Sequence, residues 1–540
     1  MTPRPPAWHT AARLVVWAAL ALPALYQIGL VAEAIAGRVA YPYDLEWMEG
    51  GMLHHAQRIQ LGLGIYAPPS ADFIPYLYTP LYPTLLALFG GPFGLSYALG
   101  RAVSIVSLVG IAGTALGSLL GARQRPFGAS LAGAVLGLGL FAACYPYVEG
   151  WYDLVRADTL FLFMVTAGIA GLPLWARSDD GIVGHGKIAA GAALMALAFF
   201  CKQTGIFYVA FGGVIVVLAN WRRAPTYAAM AGVIGLGGCW MLDRSTGGWF
   251  WIYVSEIHRA HDFNLDRFRD SFGHILWHFP AASIAIAATL VLVALTAWRR
   301  GLPPAARTFL LWTCAYAVSI AVGALGFGTE FAHFNAYMPA LLHGSLAAGA
   351  AVPAAFACGQ ALWGDRRRGR AFATACGAAA ALPLAITCGL ARWQPLQYMP
   401  SDADVAAGDR LIARIRAIDG AVWIPSHPWY AAKADKTPYV HRMGIKDVTA
   451  RQNRTVEGLD QLLREQRFAA IVLDTPRDVQ LEVPALARFY HRDKVLPPDE
   501  RPRLYSGAGN VRSGSLLVPD AIWVATPGAA GEPHSSASSP

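Results

Sequence analysis

Charge is what this chain has least of. Only 14% of its 540 residues are Asp, Glu, Lys or Arg, against about a quarter in an ordinary soluble domain. That shortage excludes a conventional soluble enzyme. Cysteine is scarce too: seven, at Cys144, Cys201, Cys239, Cys314, Cys358, Cys376 and Cys388, all in or beside apolar runs, with no C-x-x-C pair. They read as small apolar residues and give no disulfide framework. A Walker sequence, a G-x-S-x-G elbow and a dinucleotide-binding glycine fingerprint are all absent, which removes P-loop, hydrolase and Rossmann chemistry. The net charge of +9 is spread over short loops instead of one basic face, so it does not mark a nucleic-acid binder.

Hydrophobic residues make up the balance, at 55%, with a mean hydropathy of +0.39. Apolar runs long enough to cross about 30 Å of hydrocarbon recur about eleven times. They predict helices over 14–36, 97–121, 128–146, 157–175, 188–201, 204–219, 226–242, 281–298, 308–327, 335–357 and 371–390. Every second connection carries cations: Arg123/Arg125, Arg177/Lys187, Arg222/Arg223, Arg299/Arg300/Arg307 and Arg366/Arg367/Arg368/Arg370. By the positive-inside rule these loops and the N-terminus, with Arg4 and Arg13, are cytoplasmic. An odd number of spans then places the C-terminal region outside. The first span lacks a cleavage site and reads as an anchor.

The same topology gathers Tyr41–Tyr82, Tyr145–Asp158, Lys202–Thr204, Asp243–Phe279 and Gly328–Asn335 on the external face. In the first of these loops, "YPYDLEWMEGG" holds three acids, Asp44, Glu46 and Glu49. Leu45, Met48, Met52, Ala56, Ile59 and Leu63 follow helical spacing, predicting an amphipathic helix at the interface, weakened by Gly50-Gly51. Asp44 stands where it caps that helix or serves chemistry. The Pro- and Tyr-rich "APPSADFIPYLYTPLYP" predicts a shaped, non-helical loop.

Several motifs together carry a family resemblance: "YDLEWMEG", "HHAQRIQLGLGIYAPP", "YTPLYPTLLALFGGPFGLSYALGRAVSIVSLVG", "VRADTLFLFMV", "AFFCKQTGIF" and "HFNAYMPAL". In this combination the chain resembles the GT-C superfamily of polytopic membrane glycosyltransferases, and within it the bacterial members related to protein O-mannosyltransferases and aminoarabinose transferases. The resemblance covers roughly residues 10 to 390. It implies transfer of a hexose or pentose from a polyprenyl-phosphate donor to a lipid, glycan or protein acceptor on the external face, with an acid of the first loop at the centre. Carried onto this sequence, that acid is Asp44, with Glu46 as its nearest substitute. A carboxylate against an acceptor hydroxyl assists its attack on the anomeric carbon, and a single displacement inverts that carbon.

The phosphate leaving group needs cations at the membrane surface. Lys202, Arg156, His258 and Arg259 are the candidates. Lys202 interrupts "LMALAFFCKQTGIFYVAF", where a charge is costly unless partnered; the alternative is a lysine snorkelling to the interface. Arg156 and Asp158 pair with neighbours or begin a helix, with Asp158 also a second site acid by resemblance. Glu49, His333 and Asn335 are further candidates for the cavity. Glu256, His258, His261 and Asp262 permit a divalent metal by residue type, but their spacing fits no template, and a solvated helix with i+3 and i+4 pairs is the alternative. No metal is assigned.

Beyond about residue 392 the composition changes. "DADVAAGDRLIARIRAI" and "VEGLDQLLREQ" predict helices, and "AVWIP", "FAAIVLD" and "AIWVA" predict strands, a small external α/β domain over 392–526. Its "SHPWYAAKADKTPYVHRMG" segment reads as a surface loop, or as an acceptor contact. Residues 527–540 are low-complexity and predict disorder. The expectation is therefore a polytopic α-helical protein of the bacterial inner membrane, residues 1–391, with an external α/β domain. Its partners would be a polyprenyl-phosphate sugar, an acceptor and membrane lipids, with no nucleic acid. Two other classes remain: a lipid or glycan transporter, whose ionisable groups would sit near the bilayer midplane, and a non-catalytic envelope scaffold.

Overall fold

The computed structural model describes residues 7–121, 126–178, 181–364, 367–452, 456–474, 483–514 and 516–529. Arg4, Arg123, Arg125, Arg366 and the tail from 530 onward lie outside them.

The apolar runs form helices: α1 (Ala7–Ala36), α4 (Tyr97–Leu120), α5 (Phe127–Ala143), α6 (Ala157–Ala176), α7 (Gly181–Cys201) and α8 (Gly205–Asn220), after the shorter α2 (Glu49–Gln60) and α3 (Leu81–Phe93) of the first loop. They continue as α9 (Ala224–Gly232), α10 (Gly238–Ser245), α11 (Trp249–Trp251), α12 (Leu265–His278), α13 (Pro280–Arg300), α14 (Pro304–Gly328), α15 (Met338–Trp363) and α16 (Arg367–Leu390). Among the described residues, nine stretches are long and apolar enough to cross a membrane. One of them, Gly205–Ser245, is 41 residues long, about twice what one crossing needs. It bends at a 3-10 turn, Trp221–Arg223, and α9 packs back on α7 and α8, so it accounts for two of the expected helices. α5, with 17 residues, supplies the eleventh apolar helix at a shorter length than expected. α15 is the central helix, with 94% of its most apolar window buried by its neighbours.

Because the helices alternate in direction, Arg13, Arg177, Arg222, Arg300 and Arg370 lie at the end of the bundle opposite Arg38, Arg156 and Lys202. The molecule is a multi-pass membrane protein with two chemically distinct ends.

The first loop corrects one expectation. α2 does not lie exposed at an interface; Glu49 to Ala56 are buried. The glycines expected to weaken it are what let it pack: a Cβ on Gly51 would collide with the Tyr76 hydroxyl. α3, an apolar helix not anticipated, follows directly.

After α16 comes the α/β portion. It contains α17 (Asp402–Arg416), α18 (Pro428–Lys433), α19 (Arg442–Gln452), α20 (Leu459–Arg464) and a four-stranded sheet. β1 (Ala421–Trp423) pairs parallel with β2 (Phe468–Leu473), and β4 (Ala521–Ala525) lies antiparallel between β2 and β3 (Tyr490–Val495). β3 was not anticipated, because "YHRDKV" is polar and exposed after its first residue. The α/β portion is stitched to the first loop through the backbone of its connecting segments: Leu45 O accepts from Tyr505 N–H and Ser506 N–H, and Val440 N–H donates to Ala71 O. The segment expected at the surface is instead internal, with His427, Pro428, Trp429 and Tyr430 buried against α2.

Candidate active site

The three acids of the first loop, five residues apart at most, point to three different cations. Glu49 sits at the start of α2 and takes Arg101, one turn into α4, at 3.2 and 2.8 Å. It also accepts from Leu45 N–H and Val155 N–H. Arg101 spends its other N–H groups on the carbonyls of Arg38, Tyr41 and Tyr43, so this buried pair fixes the path of the loop. A parallel pair, Arg38 and Asp153, joins the end of α1 to the segment before α6 at 2.8 and 2.7 Å.

Asp44 is completely buried. Its Oδ1 accepts from Gly50 N–H at 2.8 Å, satisfying a first-turn donor of α2. Its Oδ2 lies 2.6 Å from His427 Nδ1, and His427 Nε2 lies 3.1 Å from Asp474 Oδ2. The imidazole stacks on Tyr430, with ring centroids 4.8 Å apart. Burial alone would depress the His427 pKa, but the two carboxylates outweigh it and raise it to about 10. The ring is thus an imidazolium between two acids, one from the first loop and one from the end of β2.

Glu46 faces elsewhere. Its Oε2 is 3.3 Å from Arg156 Nη1 and accepts from Met48 N–H. Burial raises its pKa to about 7 against the opposing pull of Arg156. Arg156 also donates to the Tyr78 hydroxyl at 2.9 Å and lies 5.1 Å from the Trp151 ring centre.

Trp151 is the hub of the remaining candidates. Its Nε1–H donates to Asp158 Oδ2 at 3.0 Å. Asp158 Oδ1 takes Lys202 Nζ at 2.5 Å and Asn335 Nδ2 at 3.1 Å, and His333 stacks on the Trp151 ring. Lys202 lies in the break between α7 and α8, where Gly205 N–H returns to the Lys202 carbonyl. Its side chain is 18% exposed and therefore reaches the surface of the cluster. Asp158, in the first turn of α6, also complements the helix dipole.

The structure thus brings Glu46, Arg156, Asp158, Lys202, His333 and Asn335 into one cluster around Trp151. Asp44 and Glu49 are tied into neighbouring buried networks. His258 and Arg259 stand on a separate segment, but His258 is near enough to feel Lys202: burial, then His261, then Lys202 lower its pKa to about 4. Its ring lies 5.6 Å from that of His261, and Arg259 Nε–H donates to the Ser255 carbonyl. His261 pairs with Asp447 at 3.2 Å, and Arg269 with Asp266 at 3.8 Å in the expected i+3 relation. Among the described residues, no three or more His, Cys, Asp or Glu are arranged to hold a metal ion. The residues that sequence reasoning missed are Arg38, Arg101, Trp151, Asp153, His427 and Asp474. Arg38, Arg101 and Asp153 stand at the ends of apolar runs, where a charge is a signal. His427 and Asp474 lie in a segment and a strand end with no such mark.

No family model matches the chain, and no curated protein matches it in sequence. Solved structures do. ArnT from Cupriavidus metallidurans in the apo state aligns with 97% of this chain and 100% of its own, with a TM-score of 0.56 at 14% identity. The chain has the GT-C fold. The structure of ArnT bound to undecaprenyl phosphate aligns with a TM-score of 0.54 at 14% identity, over 96% of this chain and 99% of that one. The GT-C match therefore extends past the helices and through the α/β portion, which the sequence motifs did not reach.

Proposed function

We propose that the protein is a membrane glycosyltransferase that takes a sugar from a polyprenyl-phosphate carrier at the face bearing the first loop and the α/β domain. In a bacterium that face is the periplasmic side of the inner membrane. The observation that carries this is Lys202: a partly exposed cation in a helix break, oriented by Asp158 and Asn335, at the mouth of a fold that in ArnT holds undecaprenyl phosphate.

In this reading Lys202 and Arg156 meet the phosphodiester as its negative charge grows during bond cleavage. An acceptor hydroxyl attacks the anomeric carbon from the side opposite the phosphate, which inverts that carbon. Asp44, expected from the first loop to be the catalytic acid with Glu46 as its substitute, has one oxygen on Gly50 N–H and the other on His427, so in this reading it holds the loop, and Glu46 sets the field at Arg156. The test is release of undecaprenyl phosphate by protein in liposomes, given a panel of synthetic undecaprenyl-phosphate sugars and an envelope lipid extract, read by liquid chromatography and mass spectrometry. This readout follows the carrier and works whichever acceptor in the extract is used. Carrier that crosses the liposome membrane with its sugar intact would sink the transferase reading in favour of transport.

A further inference from the structure

The acids of the site differ in what they have left to give. Asp44, Glu46, Glu49 and Asp153 are fully buried, each facing its own cation. Asp158 is bonded by Lys202, Asn335 and Trp151. Asp474 also has an oxygen, Oδ1, without a hydrogen bond, but its side chain is buried and its other oxygen faces the His427 imidazolium. Glu149 differs from all of these. It precedes the hub tryptophan by two residues, its side chain is 22% exposed, and its Oε2 is a buried atom with no hydrogen-bond partner. His333 Nδ1 lies 3.4 Å from that oxygen and is also without a hydrogen bond.

Buried polar atoms are nearly always satisfied, so two orphans side by side, one a donor type and one an acceptor, mark a place where a hydroxyl-bearing molecule completes the bonding. The backbone adds a second, independent sign. Glu149 has φ of +51°, a left-handed conformation that costs a non-glycine residue roughly 1–2 kcal/mol, persists where the surrounding structure over-determines it and clusters at active sites. A glycine would relieve it, yet a carboxylate stands there. The connection to the donor side is short: His333 stacks on Trp151, Trp151 holds Asp158, and Asp158 holds Lys202.

We propose that Glu149 is the base that accepts the proton of the acceptor hydroxyl, with His333 as the second contact to that hydroxyl. This rests on the transferase reading above. The acceptor oxygen forms its bond to the anomeric carbon, the bond from that carbon to the phosphate oxygen breaks, and the electron pair leaves with undecaprenyl phosphate. The acceptor's proton passes to Glu149 Oε2 and from there to solvent. Charge fits the role: burial raises the Glu149 pKa to about 7, opposed by Arg512, while burial and then Arg267 hold His333 near 4. His333 is therefore neutral at working pH and does not lock Glu149 into an ion pair, and a base is most effective when its pKa lies near that pH.

The experiment compares wild type, Glu149→Gln, Glu149→Gly and Glu46→Gln by undecaprenyl-phosphate release between pH 5 and 9, with melting temperatures. In wild type the rate rises with pH through about 7. Glu149→Gln should lose roughly 10²-fold or more together with that rise, while Glu46→Gln keeps the rise. Glu149→Gly should melt no lower than wild type while being equally inactive, the reverse of what a structural glutamate predicts. As a substrate-free arm, a water-soluble carbodiimide with an amine at pH 7, read by peptide mass spectrometry, should label Glu149 well above the first-loop acids. A Glu149→Gln variant that keeps its rate or its pH rise, or a Glu149 that resists labelling, overturns the proposal and leaves the transferase reading standing. A wild type that releases no carrier with any donor overturns both.

Discussion

His427 offers the sharpest single perturbation. It is completely buried, 2.6 Å from Asp44 and 3.1 Å from Asp474, and its pKa is raised from 6.5 to about 10 by the two carboxylates despite burial. The magnitude follows from buried ion pairs, where removing one partner costs about 3–5 kcal/mol because a charge is left behind. His427→Ala should therefore cost about 3–5 kcal/mol, a large part of a domain's total of about 5–15 kcal/mol. The loss should appear first where the α/β portion meets the first loop. Hydrogen exchange read by mass spectrometry on peptides covering 41–51 and 500–510 should show lost protection, including at Tyr505 and Ser506, whose N–H groups donate to Leu45 O. Asp44→Asn combined with His427→Gln should recover part of the cost, since one of the two stranded carboxylates is removed and only Asp474 is left facing a neutral side chain. The folded-state pKa of His427 lies above the ordinary value, so its share of the clamp is complete below about pH 6.5 and is lost as pH rises through about 10. Burial raises the Asp44 pKa, so acid protonates that carboxyl and weakens the clamp from the other side. Unchanged exchange and a melting temperature within error of wild type for His427→Ala would refute the clamp.

Three further outcomes follow from the same geometry. Arg101→Leu strands the buried Glu49 and three carbonyls, so it should destabilise by about 3–5 kcal/mol; normal yield and melting in detergent would count against it. Gly51→Ala brings a methyl into the Tyr76 ring and hydroxyl and should cost about 1–3 kcal/mol by overpacking, measured as a lowered denaturation midpoint. Lys202→Met leaves Asp158 its bonds from Asn335 and Trp151 but removes the exposed cation, so retention of undecaprenyl phosphate in native mass spectrometry should fall at least tenfold; equal retention would exclude Lys202 from the phosphate site.

Much of the architecture was legible because membrane crossing is a local property. A run of apolar residues declares its own helix, and the arginines between runs declare an end, with no reference to distant parts of the chain. The exceptions have physical reasons. α2 read as interfacial because its alternation is amphipathic, but Gly50 and Gly51 admit Tyr76 and Trp429 against the helix, and its polar face is buried on protein. The segment from Ser426 read as a surface loop because its polar residues gave no sign of a partner; His427 finds two carboxylates there. β3 was invisible because an exposed edge strand needs no apolar alternation.

The site divides in the same way. The sequence by itself determined that the chain crosses the membrane repeatedly, that acids and cations gather at one end, and that Lys202, Arg156 and the first-loop acids belong to that end, since each of these follows from composition and spacing. Only the tertiary structure decided which acid answers to which cation. Asp44 and His427 are 383 positions apart in the chain, Arg156 and Glu46 are 110 apart, and Asn335 reaches Asp158 across 177. Pairings of that range are fixed by helix packing and domain docking, so no local pattern separates an acid committed to holding a loop from one left open to a substrate.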